Sequence, residues 1–511
     1  MKKIIVAFVL VPFLLFYAPH AGATEKEERS WEDETIYFLL VDRFNNGDIN
    51  NDFEVDTQDP LAYHGGDFQG VIKKLDYLKS MGFTAIWLAP IFDNSAKGYH
   101  GYWITDFYNT EEHFGTIEEF KTLVAEAHKR DMKIILDFVV NHTSPEHPWV
   151  HDPEKQDWFH EPKEIINWSN QEQLENGWIY GLPDLAQENP EVKEYLINVA
   201  KWWITETDID GYRLDTVKHV PVDFWEDFVN EVKSVKDDFY LLGEVLDSNP
   251  DYLNRYAKTG IDGFVDYPLF DRMRSAFASP DQSLSMIFST LESNETIYER
   301  PHLMGQFIDN HDKPRFTFDI VKNKQQPKKR WELALTFMYT TPGIPIVYYG
   351  SEIALNGAND PDNRRLMEFR ADPVLIEYIE QIGSIRNKYA PLRRGNLTVL
   401  YESGGMAIYK RTYNDETVVI ALNNTTKQQD IKLEEKEIGI NQELKGLLQN
   451  DLIREKDGQY HFVISPETSE IYLLKNKSGL NIAYIVVLSS IIILFPLLVY
   501  IMYRRGKRKI S

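Results

Sequence analysis

Cysteine is missing from all 511 residues, which excludes disulfides, thiolate metal sites and thiol nucleophiles. Any stapling of the fold must therefore come from a large core or from a bound hard cation. Positive charge is scarce: 55 Lys and Arg stand against 79 Asp and Glu, a net charge of -24. A phosphate-tracking surface needs the opposite balance, so nucleic acid is excluded as a partner. No Gly-rich phosphate loop and no Gly-x-Ser-x-Gly elbow is present. Long apolar runs are confined to the two ends. The first, 4–17, follows Lys2 and Lys3 and precedes Ala21-Gly22-Ala23, which reads as a signal peptide over 1–23. The second, 480–503, has the roughly 20 residues that a hydrocarbon core requires. Arg504, Arg505, Lys507, Arg508 and Lys509 follow it, so the ends together predict a transmembrane helix, a basic cytoplasmic tail over 504–511, and a single-pass cell-membrane protein whose main body is extracellular.

Between these ends, apolar strands alternate with amphipathic helices. The run 36–44 reads as a buried strand, and Phe68, Val71, Ile72, Leu75 and Leu78 recur at helical spacing before Gly82. A strand over 84–92 leads to the capping box of Thr116 and Glu119, and a third strand, 134–140, ends in Asn141-His142. The alternation then stops over 143–183, where Trp149, Trp158, Trp168 and Trp178 stand among polar residues. That stretch is too long for a connection and reads as a small inserted domain. Asn189-Pro190 opens the next helix, and strands are expected at 211–219, 239–245, 263–269, 304–308 and 345–349, with helical stretches between and after them. Eight strands each followed by helix favour a closed α/β (β/α)8 TIM barrel, made of 31–142 and 184–395, over an open doubly wound sheet. Beyond Asn396 the pattern changes to alternating strands, at 398–401, 406–411, 417–422 and 464–474. This predicts a C-terminal antiparallel β-sandwich domain over 396–475.

Barrel enzymes carry their sites where the strands end at their carboxyl sides. In this chain those ends hold Asp137 to His142, Arg213 with Asp215, Lys218 and His219, Gly243-Glu244, and Asp309-Asn310-His311-Asp312. Arg213 and Asp215 are two apart on a strand and so share one face. Carboxylates without thiol, Ser elbow or phosphate loop suit glycosidic cleavage, in which one carboxylate attacks the anomeric carbon and another protonates the leaving oxygen. Asn46-Gly47-Asp48-Ile49-Asn50-Asn51-Asp52 reads either as a turn-rich loop or as a hard-cation site, calcium being the natural ion outside a cell.

The blocks Asp-x-x-x-Asn-His, Gly-x-Arg-x-Asp-x-x-x-His, Gly-Glu and Asn-His-Asp occur in order, and over 31–475 the chain resembles the alpha-amylase family, glycoside hydrolase family 13. The resemblance implies Asp215 as nucleophile, Glu244 as general acid/base and Asp312 as the third carboxylate that positions the sugar. It implies sugar contacts from His142 and His311, from His100 and a stacking Tyr102, from Arg213 as the electrostatic support of Asp215, and from Lys218 on the leaving side. Asp360 and Arg364 resemble the pair that grips sugars on the non-reducing side, whereas Asp137 reads as structural. It further implies Ca2+ at two sites: one from Asn141, Asp184 and the carbonyl of His219, the other from Asn46, Asp48, Asn51, Asp52, Gly65 and Asp67. The expected activity is that of a monomeric, retaining alpha-amylase cleaving internal alpha-1,4 bonds of starch, glycogen or maltooligosaccharides. The alternatives are a cyclodextrin-degrading or maltogenic hydrolase or a glucanotransferase of the same family, and a non-catalytic glucan-binding protein, against which Asp215, Glu244 and Asp312 all speak.

Overall fold

In the computed structural model, residues 28–477, 489–497 and 499–501 are described. Two units divide the chain, Met1–Trp31 and Glu32–Ser511, and the barrel and sheets belong wholly to the second. The strands in chain order begin with β1 (Ile36–Leu39), β2 (Ala85–Leu88), β3 (Phe92–Asn94), β4 (Ile104–Thr110), β5 (Lys133–Phe138) and β6 (Gly211–Leu214). They continue with β7 (Tyr240–Gly243), β8 (Gly263–Phe264), β9 (Gly305–Gln306) and β10 (Ile344–Tyr348). Among the described residues, eight of these form one sheet in the order β8-β7-β6-β5-β2-β1-β10-β9, every neighbouring pair parallel. A parallel bridge between Val265 and Gly305 joins the two outer strands and closes the ring. Residues of β1, β2, β6, β7 and β10 are buried throughout, as expected of strands covered by helices outside and filled by side chains within.

Local chemistry explains where the strands give way to helix. The helix Phe68–Ser80 starts at Asp67, whose side chain accepts from Gly70 N, and Ile117–His128 starts at the Thr116–Glu119 capping box. The expected strand over 263–269 is shorter: it stops at Phe264 because Asp266 caps a helix, Tyr267–Phe277, accepting from Leu269 N, with Pro268 in its first turn. The strand expected over 304–308 is likewise only Gly305–Gln306. The hairpin of β3 and β4 lies outside the parallel sheet. Over 143–183 the chain forms short 3-10 turns and one short helix, Gln171–Asn176, around a small core of Ile165, Leu174 and Ile179.

The C-terminal part contains β11 (Asn396–Ser403), β12 (Met406–Tyr413), β13 (Glu416–Asn423), β14 (Gln429–Glu434), β15 (Gln442–Gly446), β16 (Leu452–Arg454), β17 (Gln459–Ile464) and β18 (Thr468–Asn476). A six-stranded sheet, β11-β12-β13-β18-β15-β16, faces the pair β14-β17 across Ile408, Val419, Leu433, Phe462 and Tyr472, which makes the β-sandwich. Arg411 ties it to the barrel, with Nη1 donating to Thr340 O at 2.6 Å and Nη2 to Gly395 O at 2.7 Å.

The expectation of a transmembrane helix over 480–503, and of a single-pass cell-membrane protein with it, is corrected: among the described residues no helix is long and apolar enough to cross a membrane. Of that stretch 489–497 and 499–501 are helical. At about 1.5 Å per residue a hydrocarbon core about 30 Å thick requires roughly 20 helical residues, more than the described residues of this stretch. The rest of the stretch, the tail 504–511 and the signal peptide expected over 1–23 lie outside the described residues.

Candidate active site

The carboxyl ends of β5, β6, β7 and β9 converge on a cleft of about 870 Å³ lined by Asp215, Glu244 and Asp312. Its floor is organised by one guanidinium. Arg213 Nη1 lies 2.8 Å from Asp137 Oδ1 and 2.6 Å from Asp215 Oδ1, while Nη2 lies 2.7 Å from Glu244 Oε1. Thr216, in the left-handed region at φ 47°, makes a second bridge. Its Oγ1 donates to Asp215 Oδ2 at 3.0 Å and its backbone N to Glu244 Oε2 at 3.2 Å. Asp215 and Glu244 are therefore joined twice, and neither is free to swing away.

Around them the polar groups are spent on holding position. Tyr267 OH donates to Glu244 Oε1 at 3.2 Å and accepts from Asn310 Nδ2 at 2.9 Å. Tyr102 OH donates to Asp137 Oδ2 at 2.8 Å, with Trp87 Nε1 at 3.3 Å from the same oxygen. The Tyr102 ring lies parallel to His311, centroids 5.2 Å apart and planes 1° apart, with His100 next to it at 5.9 Å. Asp312 is more open; His311 Nε2 is 3.4 Å and Arg364 Nη2 3.8 Å from its Oδ1. Arg364 Nη1 also reaches Asp360 Oδ1 at 3.2 Å. Lys218 is held on the cleft wall, Nζ donating to Leu246 O at 2.8 Å.

Electrostatics differ from the simple expectation that Arg213 keeps Asp215 ionised. Burial pushes the Asp215 carboxyl well up; Arg213 pulls it down, and Glu244 and Asp137 push it up again. The cation is shared among three carboxylates and cannot neutralise them all. Asp137 is pushed up to about 6, chiefly by burial against the pull of Arg213. Burial works against the Arg213 charge as well, but the Asp137, Glu244 and Asp215 carboxylates more than restore it. His100 and His311 are held well below their usual range by burial and then by Arg364, and His142 falls to about 3, chiefly by burial. All three rings are neutral at pH 7, and His311 Nδ1 is buried without a hydrogen-bond partner among the described residues. Neutral imidazoles of this kind are suited to sugar hydroxyls, which both donate and accept.

The groups expected at a metal fall into two places. Burial pushes the Asp184 carboxyl up to about 7 against the pull of His160, whose Nδ1 is 2.6 Å from Asp184 Oδ2, and of the neighbouring Asn141. Yet Oδ1 of Asn141 and Oδ1 of Asp184 are each buried without a hydrogen-bond partner among the described residues. His142 and Asp184 are bridged through the backbone, and His219 is fixed next to the inserted segment by Nδ1 pairing with Leu174 O at 3.0 Å. Two orphaned buried oxygens fit a hard cation. At the early loop the fit is partial. Asp67 uses both oxygens on backbone N–H groups of Gly47, Asp48 and Gly70, so it serves as a cap. Asp48 accepts from Asn50, and Asn46 Nδ2 lies 2.9 Å from both oxygens of Asp52. Asn51 Oδ1 remains buried and unpartnered. Gly65, at φ 88°, leaves room there, since a Cβ would come within 2.7 Å of Asp52 Oδ1. Among the described residues no group of three or more His, Cys, Asp or Glu is gathered for a metal, so binding would depend on amide and carbonyl oxygens.

Reasoning from strand ends did not single out Thr216 or Tyr267, and it named Asn310 without its hydrogen bond to Tyr267 OH. Tyr267 follows the shortened β8 and could have been found by the same rule. The Thr216 bridge arises from its backbone conformation, which no residue pattern announces.

Known proteins resemble this chain over most of its length. Residues 38–443 match the model of the alpha amylase catalytic domain. The chain is 35% identical over 459 residues to the beta/alpha-amylase of Paenibacillus polymyxa, an alignment that takes in 86% of this chain but only 38% of the longer relative. It is 33% identical over 450 residues to a cyclomaltodextrinase of Thermoanaerobacter pseudethanolicus, covering 83% of this chain and 76% of that protein. The crystal structure of an Anoxybacillus alpha-amylase superposes with a TM-score of 0.88 at 60% identity, over 89% of this chain and all of that one.

Proposed function

Because this chain belongs to the alpha-amylase family of glycoside hydrolases, we propose that it is a retaining endo-hydrolase of alpha-1,4-glucans. The observation that carries this reading is the double bridge between Asp215 and Glu244 through Arg213 and Thr216. Two carboxyls hung from the ends of one guanidinium suit the about 5 Å separation of retaining enzymes better than the wider gap that inverting enzymes keep for a water.

In this reading Asp215 attacks the anomeric carbon while Glu244 gives its proton to the leaving oxygen; Glu244 then takes a proton from the water that releases the sugar. Arg213 holds the attacking oxygen in place and opposes the charge that accumulates among the carboxyls. Asp312, with His311 and His142, would hold hydroxyls of the cleaved sugar, and the Tyr102 ring would support its face. Asp360 and Arg364 would grip the chain on the non-reducing side, and Lys218 on the leaving side. The solved Anoxybacillus relative, an alpha-amylase, supports the choice of starch-type glucans. The cyclomaltodextrinase relative favours a second reading, a cyclodextrin-degrading hydrolase.

We further infer Ca2+ held by Asn141 Oδ1, Asp184 Oδ1 and the carbonyl of His219, on the strength of the two orphaned oxygens. Its contribution would be structural, pinning the inserted segment to the strand ends. A second ion at the early loop would draw on Asn46, Asp48, Asn51, Asp52 and Gly65, with Asp67 capping the adjoining helix.

The test is digestion of amylose and of cyclodextrin, with the anomer of the first products read by proton NMR. Mixed maltooligosaccharides appearing first as the alpha anomer are expected. Cyclodextrin opened much faster than amylose favours the second reading, and beta anomers overturn retention.

A further inference from the structure

The two oxygens of Glu244 have unequal surroundings. Oε1 lies 2.7 Å from Arg213 Nη2 and 3.2 Å from Tyr267 OH, whereas Oε2 receives Thr216 N at 3.2 Å. Arg213 and Tyr267 line a small cavity beneath the cleft, and Thr216 lines the cleft itself. Oε1 therefore faces the barrel interior and Oε2 the cleft.

The direction of the Tyr267 hydrogen bond is set by a third side chain. Asn310, in the segment after β9, donates from Nδ2 to Tyr267 OH at 2.9 Å. Its amide is fixed by its other end, since Oδ1 accepts from Asp312 N at 3.1 Å and from Lys313 N at 3.0 Å. Turned over, the amide would point its own hydrogens at two backbone donors. The hydroxyl must then offer Asn310 a lone pair and Glu244 its hydrogen. Tyr267 has little freedom of its own: it is 2% exposed, and its ring meets Phe270 and Phe307 edge-on at 5.8 and 5.1 Å. Burial, and then the Glu244 and Asp312 charges, push its phenol well up, so it remains a donor. A buried tyrosine hydroxyl needs some partner, and a backbone carbonyl would satisfy it. Here the partner is the carboxyl read as the acid, and an anchored amide decides which atom donates. With a guanidinium and a phenol both donating to Oε1, a proton on that oxygen would meet their hydrogens.

We propose that Tyr267, aimed by Asn310, is a positioning residue that keeps the Glu244 proton on Oε2, the oxygen on the cleft side. The proposal rests on the reading of Glu244 as the acid. As the glycosidic C–O bond breaks, its electron pair stays with the leaving oxygen, which takes the proton from Oε2 while Asp215 bonds to the carbon. The charge left on Glu244 is met at Oε1 by Arg213 and Tyr267.

The test compares kcat/KM for two substrates. Maltoheptaose needs the proton, because its leaving group is otherwise an alkoxide; alpha-maltotriosyl fluoride does not, because fluoride departs as an anion. Tyr267→Phe keeps the ring and is expected to lower kcat/KM roughly tenfold to a hundredfold for maltoheptaose but less than about threefold for the fluoride. Asn310→Asp still accepts from Asp312 N and Lys313 N but offers Tyr267 an acceptor in place of a donor, so the same selective loss is expected. Tyr240→Phe removes a buried hydroxyl bonded to Leu303 O, from the opposite end of β7, and should match the parent on both substrates. Glu244→Gln, run alongside, should fall far more with maltoheptaose than with the fluoride. An equal loss on both substrates in Tyr267→Phe, or no loss on maltoheptaose, would overturn the proposal. So would Asn310→Asp behaving as the parent, or Tyr240→Phe showing the Tyr267→Phe pattern. If Glu244→Gln spares maltoheptaose, the acid reading falls and the proposal with it. If Glu244→Gln shows the selective loss and Tyr267→Phe does not, the proposal alone falls.

Discussion

Arg213 Nη1 stands 2.6 Å from Asp215 Oδ1, the two side chains only 1% and 6% exposed. A buried carboxylate with that neighbour depends on it, and the same guanidinium serves Asp137 and Glu244. Replacing Arg213 by Lys supplies a charge without the planar fork, so it cannot reach all three. The expected outcome is a fall in kcat on the order of 100-fold. Because the opposing charge is weakened, the Asp215 carboxyl should rise further and the acid limb of the kcat/KM profile should move to higher pH. A pH–rate profile of Arg213→Lys checks both; an acid limb that stays in place contradicts the electrostatic role.

Glu244→Gln should lower hydrolysis of amylose by about 1,000-fold or more while leaving maltoheptaose affinity within a few fold, because the amide can fill the position but cannot cycle a proton. Kinetics alongside calorimetric binding would separate the two effects. Unaltered turnover would remove Glu244 from the chemistry and revive the idea of a glucan-binding protein with a different catalytic centre or none.

Asp266 offers a pH test remote from the chemistry. Burial pushes its carboxyl up to about 6, although Leu269 N and Asn294 Nδ2 both donate to it. The folded state thus binds the proton more tightly than the unfolded one. Its contribution is fully present below about pH 4 and is lost as pH rises through about 6, by on the order of 3 kcal/mol. Asp266→Asn, neutral at every pH, should gain in Tm relative to the parent as pH goes from 4 to 7. Thermal melts across that range would show it; a constant offset would mean that Asp266 does not titrate there.

The calcium proposal predicts that a chelator lowers Tm by roughly 5 °C and that Ca2+ restores it, since an ion bound only by the folded state stabilises by mass action. Asp184→Asn should blunt the response more than Asp67→Asn, whose site is a helix cap. An equal response in all three proteins would argue against the Asn141–Asp184 site.

Much of this architecture was legible because barrel strands are short apolar runs at regular intervals, and because their ends carry the few charged residues that apolar runs tolerate. That logic brought Asp215, Glu244 and Asp312 to one cleft. It failed where cooperation among distant residues decides the outcome. The run at 263–269 is apolar enough for a strand, but the cap from Asp266 turned it into helix. The strands β14 and β17 carry apolar residues only on alternate positions and pair across an intervening stretch, so neither stood out alone. The sharing of Arg213 among three carboxylates was hidden because it depends on the register of β5, β6 and β7. The apolar run at 480–503 shows the reverse error, in which composition predicted a membrane span and no such helix is found among the described residues.

The most direct test of the account is to trap the reaction halfway. A fluorinated maltosyl fluoride that slows release of the bound sugar is incubated with the protein, which is then digested and its peptides weighed by mass spectrometry. The account predicts one added disaccharide on the peptide containing Asp215, and none when Asp215 is replaced by Asn. Sugar attached to a different carboxylate, or rapid turnover of the reagent by Asp215→Asn, would contradict it.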